Sequence, residues 1–122
     1  MIPEQTSGKL FQPPDRCDVI HVQFNPQAGK EMWDHHFAVV LSPKSYNKKT
    51  SLAVVCPITS KTKGNPFEVE IPSGYPVSGV ILSDQIKSID WRARGEYFKC
   101  KFSPALVDHV AGLACTLIED TI

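Results

Sequence analysis

The densest chemistry in this 122-residue chain lies in Lys30-Glu31-Met32-Trp33-Asp34-His35-His36, where two imidazoles, two carboxylates and an ammonium share one polar segment. Cleaving a ribose phosphodiester without a metal needs those group types: a base for the 2′-hydroxyl proton, an acid for the leaving 5′-oxygen and a cation for the phosphorane charge. A His-His pair also suits a metal, but neighbouring residues of a strand point to opposite faces, so His35 and His36 do not converge on one ion. The competing structural reading is a surface histidine beside a half-buried one. Thr59 and Ser60, closing Pro57-Ile58-Thr59-Ser60, offer hydroxyls to a phosphate, to a flipped base, or to the backbone of their own turn. In Ser83-Asp84-Gln85 a carboxylate between two apolar strands serves as a base or as a turn cap. The chain has no phosphate-cradling glycine loop, HExxH helix or nucleophile elbow, which argues against nucleotide hydrolases, zincins and α/β-hydrolases.

The elements that must carry these groups read as short strands followed by one helix. Residues 1–15 mix Pro3, Pro13 and Pro14 with polar residues and form a loose or late-docking arm; residues 16–122 form a single domain. Ile20, Val22 and Phe24 alternate with Val19, His21 and Gln23, the pattern of a half-buried strand that stops at Asn25-Pro26. A polar loop over residues 26–35 leads into Phe37-Ala38-Val39-Val40-Leu41, an apolar run that fits a strand covered on both faces. The sequence KSYNKKT reads as a turn before a third strand, Leu52 to Cys56. Phe67, Val69 and Ile71 alternate with Glu68 and Glu70; strands at Gly79 to Ser83, Ile86 to Asp90 and Tyr97 to Phe102 follow. Ser103-Pro104 signals a helix start, and Leu106, Val107, Val110, Leu113, Ala114, Leu117 and Ile118 recur at helical spacing. Six or seven short strands closed by one helix predict a mainly β chain, a small barrel with a C-terminal α-helix packed on it.

Thirteen basic and thirteen acidic residues cancel, yet the zero is a sum of opposed patches. Residues 44–63 hold Lys44, Lys48, Lys49, Lys61 and Lys63 and no acid, whereas residues 103–122 hold only Asp108, Glu119 and Asp120 as charged groups. Basic loops interleaved with Tyr46, Trp91 and Tyr97 suit single-stranded nucleic acid, since cations track phosphates and aromatic faces stack bases; ordinary solvated lysines are the alternative. Cys17, Cys56, Cys100 and Cys115 form no CxxC pair, so a structural zinc site is not expected. With no apolar leader at the N-terminus and no run long enough to span a membrane, the expected setting is the cytoplasm, with reduced thiols.

With these segments in hand, the chain resembles the MazF/PemK (Kid) toxins of bacterial type II toxin–antitoxin systems. The match is collinear from about Asp18 onward. It is carried by Phe24-Asn25-Pro26-Gln27-Ala28-Gly29-Lys30-Glu31, Ala38-Val39-Val40-Leu41-Ser42-Pro43 with Tyr46-Asn47, and Cys56-Pro57-Ile58-Thr59-Ser60. It continues through Lys63-Gly64-Asn65-Pro66-Phe67-Glu68-Val69, Gly79-Val80-Ile81-Leu82-Ser83-Asp84-Gln85 and Lys87-Ser88-Ile89-Asp90-Trp91-Arg92-Ala93-Arg94-Gly95. The resemblance implies an SH3-like β-barrel of the type shared with CcdB toxins, a C-terminal helix, and a homodimer. It implies a metal-independent endoribonuclease without cofactor that cuts single-stranded RNA (mRNA) at a short motif, leaving 2′,3′-cyclic phosphate and 5′-hydroxyl ends. It also implies neutralisation by a MazE-like antitoxin whose disordered tail blocks the RNA groove.

Residue by residue, the family's loop glutamate falls on Glu31, its strand-end threonine on Thr59 beside Ser60, and the carboxylate that acts as a base in some members on Asp84. The arginine two residues before that carboxylate is Leu82 here. The family's Gly-x-Arg-Pro reads Asp34-His35-His36-Phe37, so His36 stands where an arginine stabilises the phosphorane and supplies a proton. An imidazolium can do both, with a reference pKa of about 6.5 that suits a general acid near neutrality. On this reading His36, helped by His35, is the acid; Glu31 or Asp84 is the base; and Lys30, Lys48, Ser60, Lys61, Lys63, Gln85 and Lys87 meet RNA. The rewriting from Asp34 to Phe37 supports a second reading, a weakened or inactive homologue that binds RNA or antitoxin without cutting, because a smaller ring does not reproduce a charged planar fork.

Overall fold

The structure, a computed structural model, describes residues 10–23 and 35–119, apart from the His35 side chain. In chain order the described elements are β1 (Asp18–Gln23), β2 (His35–Val40), α1 (Lys44–Thr50), β3 (Leu52–Thr59), β4 (Glu68–Glu70), β5 (Val80–Leu82), β6 (Lys87–Asp90), α2 (Trp91–Arg94), β7 (Gly95–Lys101) and α3 (Pro104–Glu119).

All strand pairs are antiparallel, and β3 is the hub. One edge of β3 pairs with β2; the other pairs with β6 over Leu52–Val55 and with β5 over Ile58 and Thr59. The path runs β4-β5-β3-β2-β1-β7, with β6 on β3 beside it. The fold is therefore mainly β with a C-terminal helix, but the expected closure is absent: among the described residues no ladder joins β4 to β7. Strands of three residues at β4 and β5 are too short to carry the hydrogen-bond register around a full barrel.

Two cores explain why the central strands read as apolar runs. Val19, Val39, Cys56, Ile58 and Ile81 pack with Phe102, Val107 and Val110 on the α3 side. On the other side, Ile20, Val22, Ala38, Val40, Ala53 and Val55 pack with Ile89 and Trp91. A sheet covered on both faces has no alternation to show. Val19, grouped by alternation with His21 and Gln23, is accordingly fully buried, and the β1–β7 register shifts beside it, between Val19 and Ile20.

The segment KSYNKKT is a helix rather than a turn, with Lys48 and Lys49 in its last turn and Ser51 in the left-handed region (φ 67°) closing it. Its anchor is Asn47, 0% exposed. The Asn47 amide nitrogen donates to the carbonyls of Pro14 (2.8 Å) and Ser42 (3.0 Å). Its amide oxygen accepts from the Ser42 hydroxyl (2.6 Å), and its backbone carbonyl accepts from the Trp91 indole (2.8 Å). Residues 10–15 dock on this region: the Leu10 amide donates to the Gly95 carbonyl (3.2 Å), and the Asp15 carboxylate accepts from the Lys44 amide (3.0 Å). At the other end of the chain α3 starts as expected, the Leu106 amide donating to the Ser103 hydroxyl (3.2 Å). Val107, Val110 and Ala114 are buried, while Ile118 at the end of the same stripe is 75% exposed. Among the described residues no helix is long and apolar enough to cross a membrane.

Candidate nucleic-acid interface

Ladder register brings the histidine segment to the hydroxyl pair. Ala38 of β2 lies opposite Pro57 of β3. His36 lies two residues before that last pair on β2 and Thr59 two residues after it on β3, so both sit at the same end of the ladder. There the surface opens into a cleft of about 480 Å³ with three walls: His36 and Phe37, Ile58 to Lys61, and Pro76 to Ser78. His36, Ser60 and Lys61 are exposed at this cleft and Thr59 is half-buried.

Neighbours hold each wall in place. The Phe37 ring meets His21 edge-on at 4.9 Å, His21 stacks on Tyr97 at 4.7 Å, and the His21 Nδ1 lies 3.0 Å from the Glu96 carboxylate. The Thr59 hydroxyl accepts from the Lys61 amide (3.0 Å), a local turn that fixes Ser60 between them. Beyond it, one Glu68 oxygen accepts from the Thr62 hydroxyl (2.7 Å) and the Gly64 amide (2.9 Å), and the other accepts from the Lys63 amide (2.9 Å). The Thr62 hydroxyl first, and then the Lys63 amide, hold the Glu68 carboxyl below its usual range. One carboxylate thus ties down the loop that carries Lys61 and Lys63. The third wall is moored by Tyr75, whose hydroxyl accepts from the Ser103 amide (3.0 Å) and whose ring packs edge-on against Phe102 at 4.7 Å.

The other sequence candidates sit elsewhere. Asp84 and Gln85 occupy the exposed turn after β5, where the Gln85 amide donates to the Leu82 carbonyl (3.1 Å). Asp84 does not line the cleft. It lies near Cys56, whose thiol is pushed up to about 12, chiefly by burial and further by the Asp84 charge. Cys56 is three residues, about 10 Å of strand, from Thr59. Lys87 is opposite Val55 on β6, and Lys48 is at the far end of α1. Lys30, Glu31 and the His35 side chain lie outside the described residues. Among the described residues no three His, Cys, Asp or Glu side chains are grouped closely enough to hold a metal ion. Sequence reasoning missed the Pro76-Val77-Ser78 wall, because a stretch of turn residues carries no signal of the strand end it will approach.

The model of the PemK-like, MazF-like toxin of type II toxin–antitoxin systems matches residues 15–117. The chain belongs to the PemK/MazF-like toxin family. Among its relatives, the MazF-like chain is 50% identical over 91 residues to the endoribonuclease toxin MazF of Escherichia coli K12, covering 75% of this chain and 81% of that one. It is 29% identical over 110 residues to the endoribonuclease PemK of Escherichia coli, covering 85% of this chain and 81% of that one. The MazF fold recurs in the crystal structure of MazF from Deinococcus radiodurans, with a TM-score of 0.78, 38% identity, and 88% and 97% of the two chains covered. A MazE–MazF crystal structure from the same organism matches with a TM-score of 0.74, 33% identity, and 87% and 95% covered.

Proposed function

We propose that this MazF-like chain is a sequence-specific endoribonuclease toxin that cuts single-stranded RNA at a short motif. The observation that carries this reading is the cleft where His36, Thr59, Ser60 and Lys61 meet, in a chain 50% identical to an endoribonuclease toxin. The scissile phosphate lies against the Thr59 and Ser60 hydroxyls, and Lys61 and Lys63 draw in the flanking phosphates. A carboxylate takes the proton of the 2′-hydroxyl, the 2′-oxygen bonds to phosphorus, and the P–O5′ bond breaks. The His36 imidazolium balances the phosphorane charge and gives its proton to the departing 5′-oxygen, with His35 assisting. The ends are a 2′,3′-cyclic phosphate and a 5′-hydroxyl, and no metal or cofactor takes part. Glu31 or Asp84 is that base. Lys30, Lys48, Gln85 and Lys87 extend the RNA path.

The same reading includes a cytoplasmic homodimer and a MazE-like antitoxin. An acidic disordered tail complements the basic loops and folds as it binds them. The test separates cutting from binding without cutting. The purified protein is incubated with a long single-stranded RNA and a chelator from pH 5 to 8, and the new ends are sequenced. Cuts at one recurring motif, ending in cyclic phosphate, are the expected result. RNA left intact across that range, with cutting restored in His36→Arg, overturns the nuclease reading.

A further inference from the structure

The connection between β4 and β5 contains two glycines in nearly the same backbone conformation, Gly74 at φ +107° and Gly79 at φ +112°. Both angles are costly for any residue with a Cβ, so the two sites are matched in backbone strain. Their surroundings differ. A Cβ at Gly74 meets nothing within 4 Å, whereas a Cβ at Gly79 falls 2.2 Å from the Thr59 carbonyl oxygen, 2.9 Å from its carbon and 3.1 Å from the Ser60 Cα. The backbone at Gly79 is packed directly on the peptide that joins the two hydroxyl residues of the cleft.

Neither side can move easily. The Gly79 carbonyl accepts from the Ile71 amide (3.0 Å), and the next residue, Val80, pairs with Thr59 on one side and Glu70 on the other. Ordinary contact begins near 3.4 Å, so a methyl group at position 79 must be relieved by a movement of about 1 Å, against the backbone that carries Thr59 and Ser60. We propose that Gly79 is a positioning residue of the RNA-cutting site, its missing Cβ allowing the β4–β5 connection to set the Thr59–Ser60 peptide in the wall of the cleft. The inference rests on the reading that these two hydroxyls hold the scissile phosphate. Misplacing a catalytic contact by about 1 Å costs on the order of 100-fold in rate, since alignment in the transition state is lost while most of the RNA contacts persist.

The test compares full-length Gly79→Ala, Gly74→Ala and the double variant Thr59→Val/Ser60→Ala on one defined RNA, reading kcat, KM and the thermal midpoint. Gly79→Ala is expected to lower kcat about 100-fold with KM within about threefold, and Gly74→Ala, strained in the backbone but free of the clash, to lower the thermal midpoint by less than Gly79→Ala with kcat unchanged. If the double variant keeps wild-type kcat, the hydroxyl reading falls and the inference falls with it. If the double variant is impaired while Gly79→Ala matches Gly74→Ala in kcat, the positioning role alone is overturned. Should Gly79→Ala be unfolded in plain buffer, all three are compared in about 1 M sucrose, which favours the compact state. Failure to fold even there, with Gly74→Ala folded, also overturns it, because Gly79 would then serve the fold rather than the site.

Discussion

The neighbourhood of Asn47 and the cleft beside Thr59 are made of the same kinds of residue, amides and hydroxyls at the ends of strands and helices, and they are put to opposite uses. Around Asn47 the side chain is fully buried and links Pro14 and Ser42, while its carbonyl receives Trp91. At the cleft His36, Ser60 and Lys61 are exposed, and what the protein fixes is the backbone that presents them. A buried amide with satisfied partners defines how segments pack; exposed polar groups on a fixed frame are available to a ligand. The two regions should therefore fail differently when altered.

The largest effect should come from the cleft. His36→Ala is expected to lower kcat by about 100- to 10,000-fold, the range for losing a general acid, with a thermal midpoint close to wild type. A midpoint that falls as far as the rate would erase the contrast, since His36 would then be structural. Asn47→Ala should invert the pattern. Leaving the Pro14 carbonyl and the Ser42 groups without their buried partner costs about 3 kcal/mol, or about 10 °C in thermal midpoint, with kcat of the folded fraction retained. Scanning calorimetry with active-site titration separates the two quantities.

A smaller effect sharpens the comparison at the loop that bears Lys61 and Lys63. Glu68→Ala should raise KM for RNA a few-fold and speed amide exchange at Lys63 and Gly64, because their acceptor is gone. Since the native Glu68 pKa lies below its ordinary 4.5, its hold on the loop is complete above that value and is lost as pH falls through the depressed native one. Exchange at those amides, after correction for intrinsic rates, should rise only in that acid window. The smallest effect is at the thiols. Cys56, buried and raised to about 12, should resist alkylation at pH 8 while exposed Cys115 reacts, as read by mass spectrometry. Labelling of native Cys56 would mean that β3 opens beside the cleft.

Much of this architecture was legible because burial leaves a pattern. The apolar runs in β2 and β3 and the spacing along α3 report how many faces are covered, and Ser103-Pro104 reports the helix start. Alternation left Val19 on a face read as solvated, whereas that face of β1 is covered by the α3-side core, opposite Ile20 and Val22. KSYNKKT looked like a turn because its serine, asparagine and threonine favour turns, whereas the buried hydrogen bonds of Asn47 to Pro14 and Ser42 anchor it as a helix. The short edge strands that leave the sheet open were visible as segments but not as an interrupted ladder.

For the site, residue chemistry marked three segments, Lys30 to His36, Thr59-Ser60 and Ser83 to Gln85, and the family resemblance singled out Glu31, His36, Thr59 and Asp84 within them. That His36 and Thr59 line one cleft depends on how β2 and β3 pair, a property that neither segment encodes by itself. The third wall of the cleft, and the fit of Gly79 against the Thr59 carbonyl, were decided wholly by tertiary structure. Sequence specifies the groups and the local periodicity, whereas close approach between segments depends on distances of a few ångströms that arise only when both are folded.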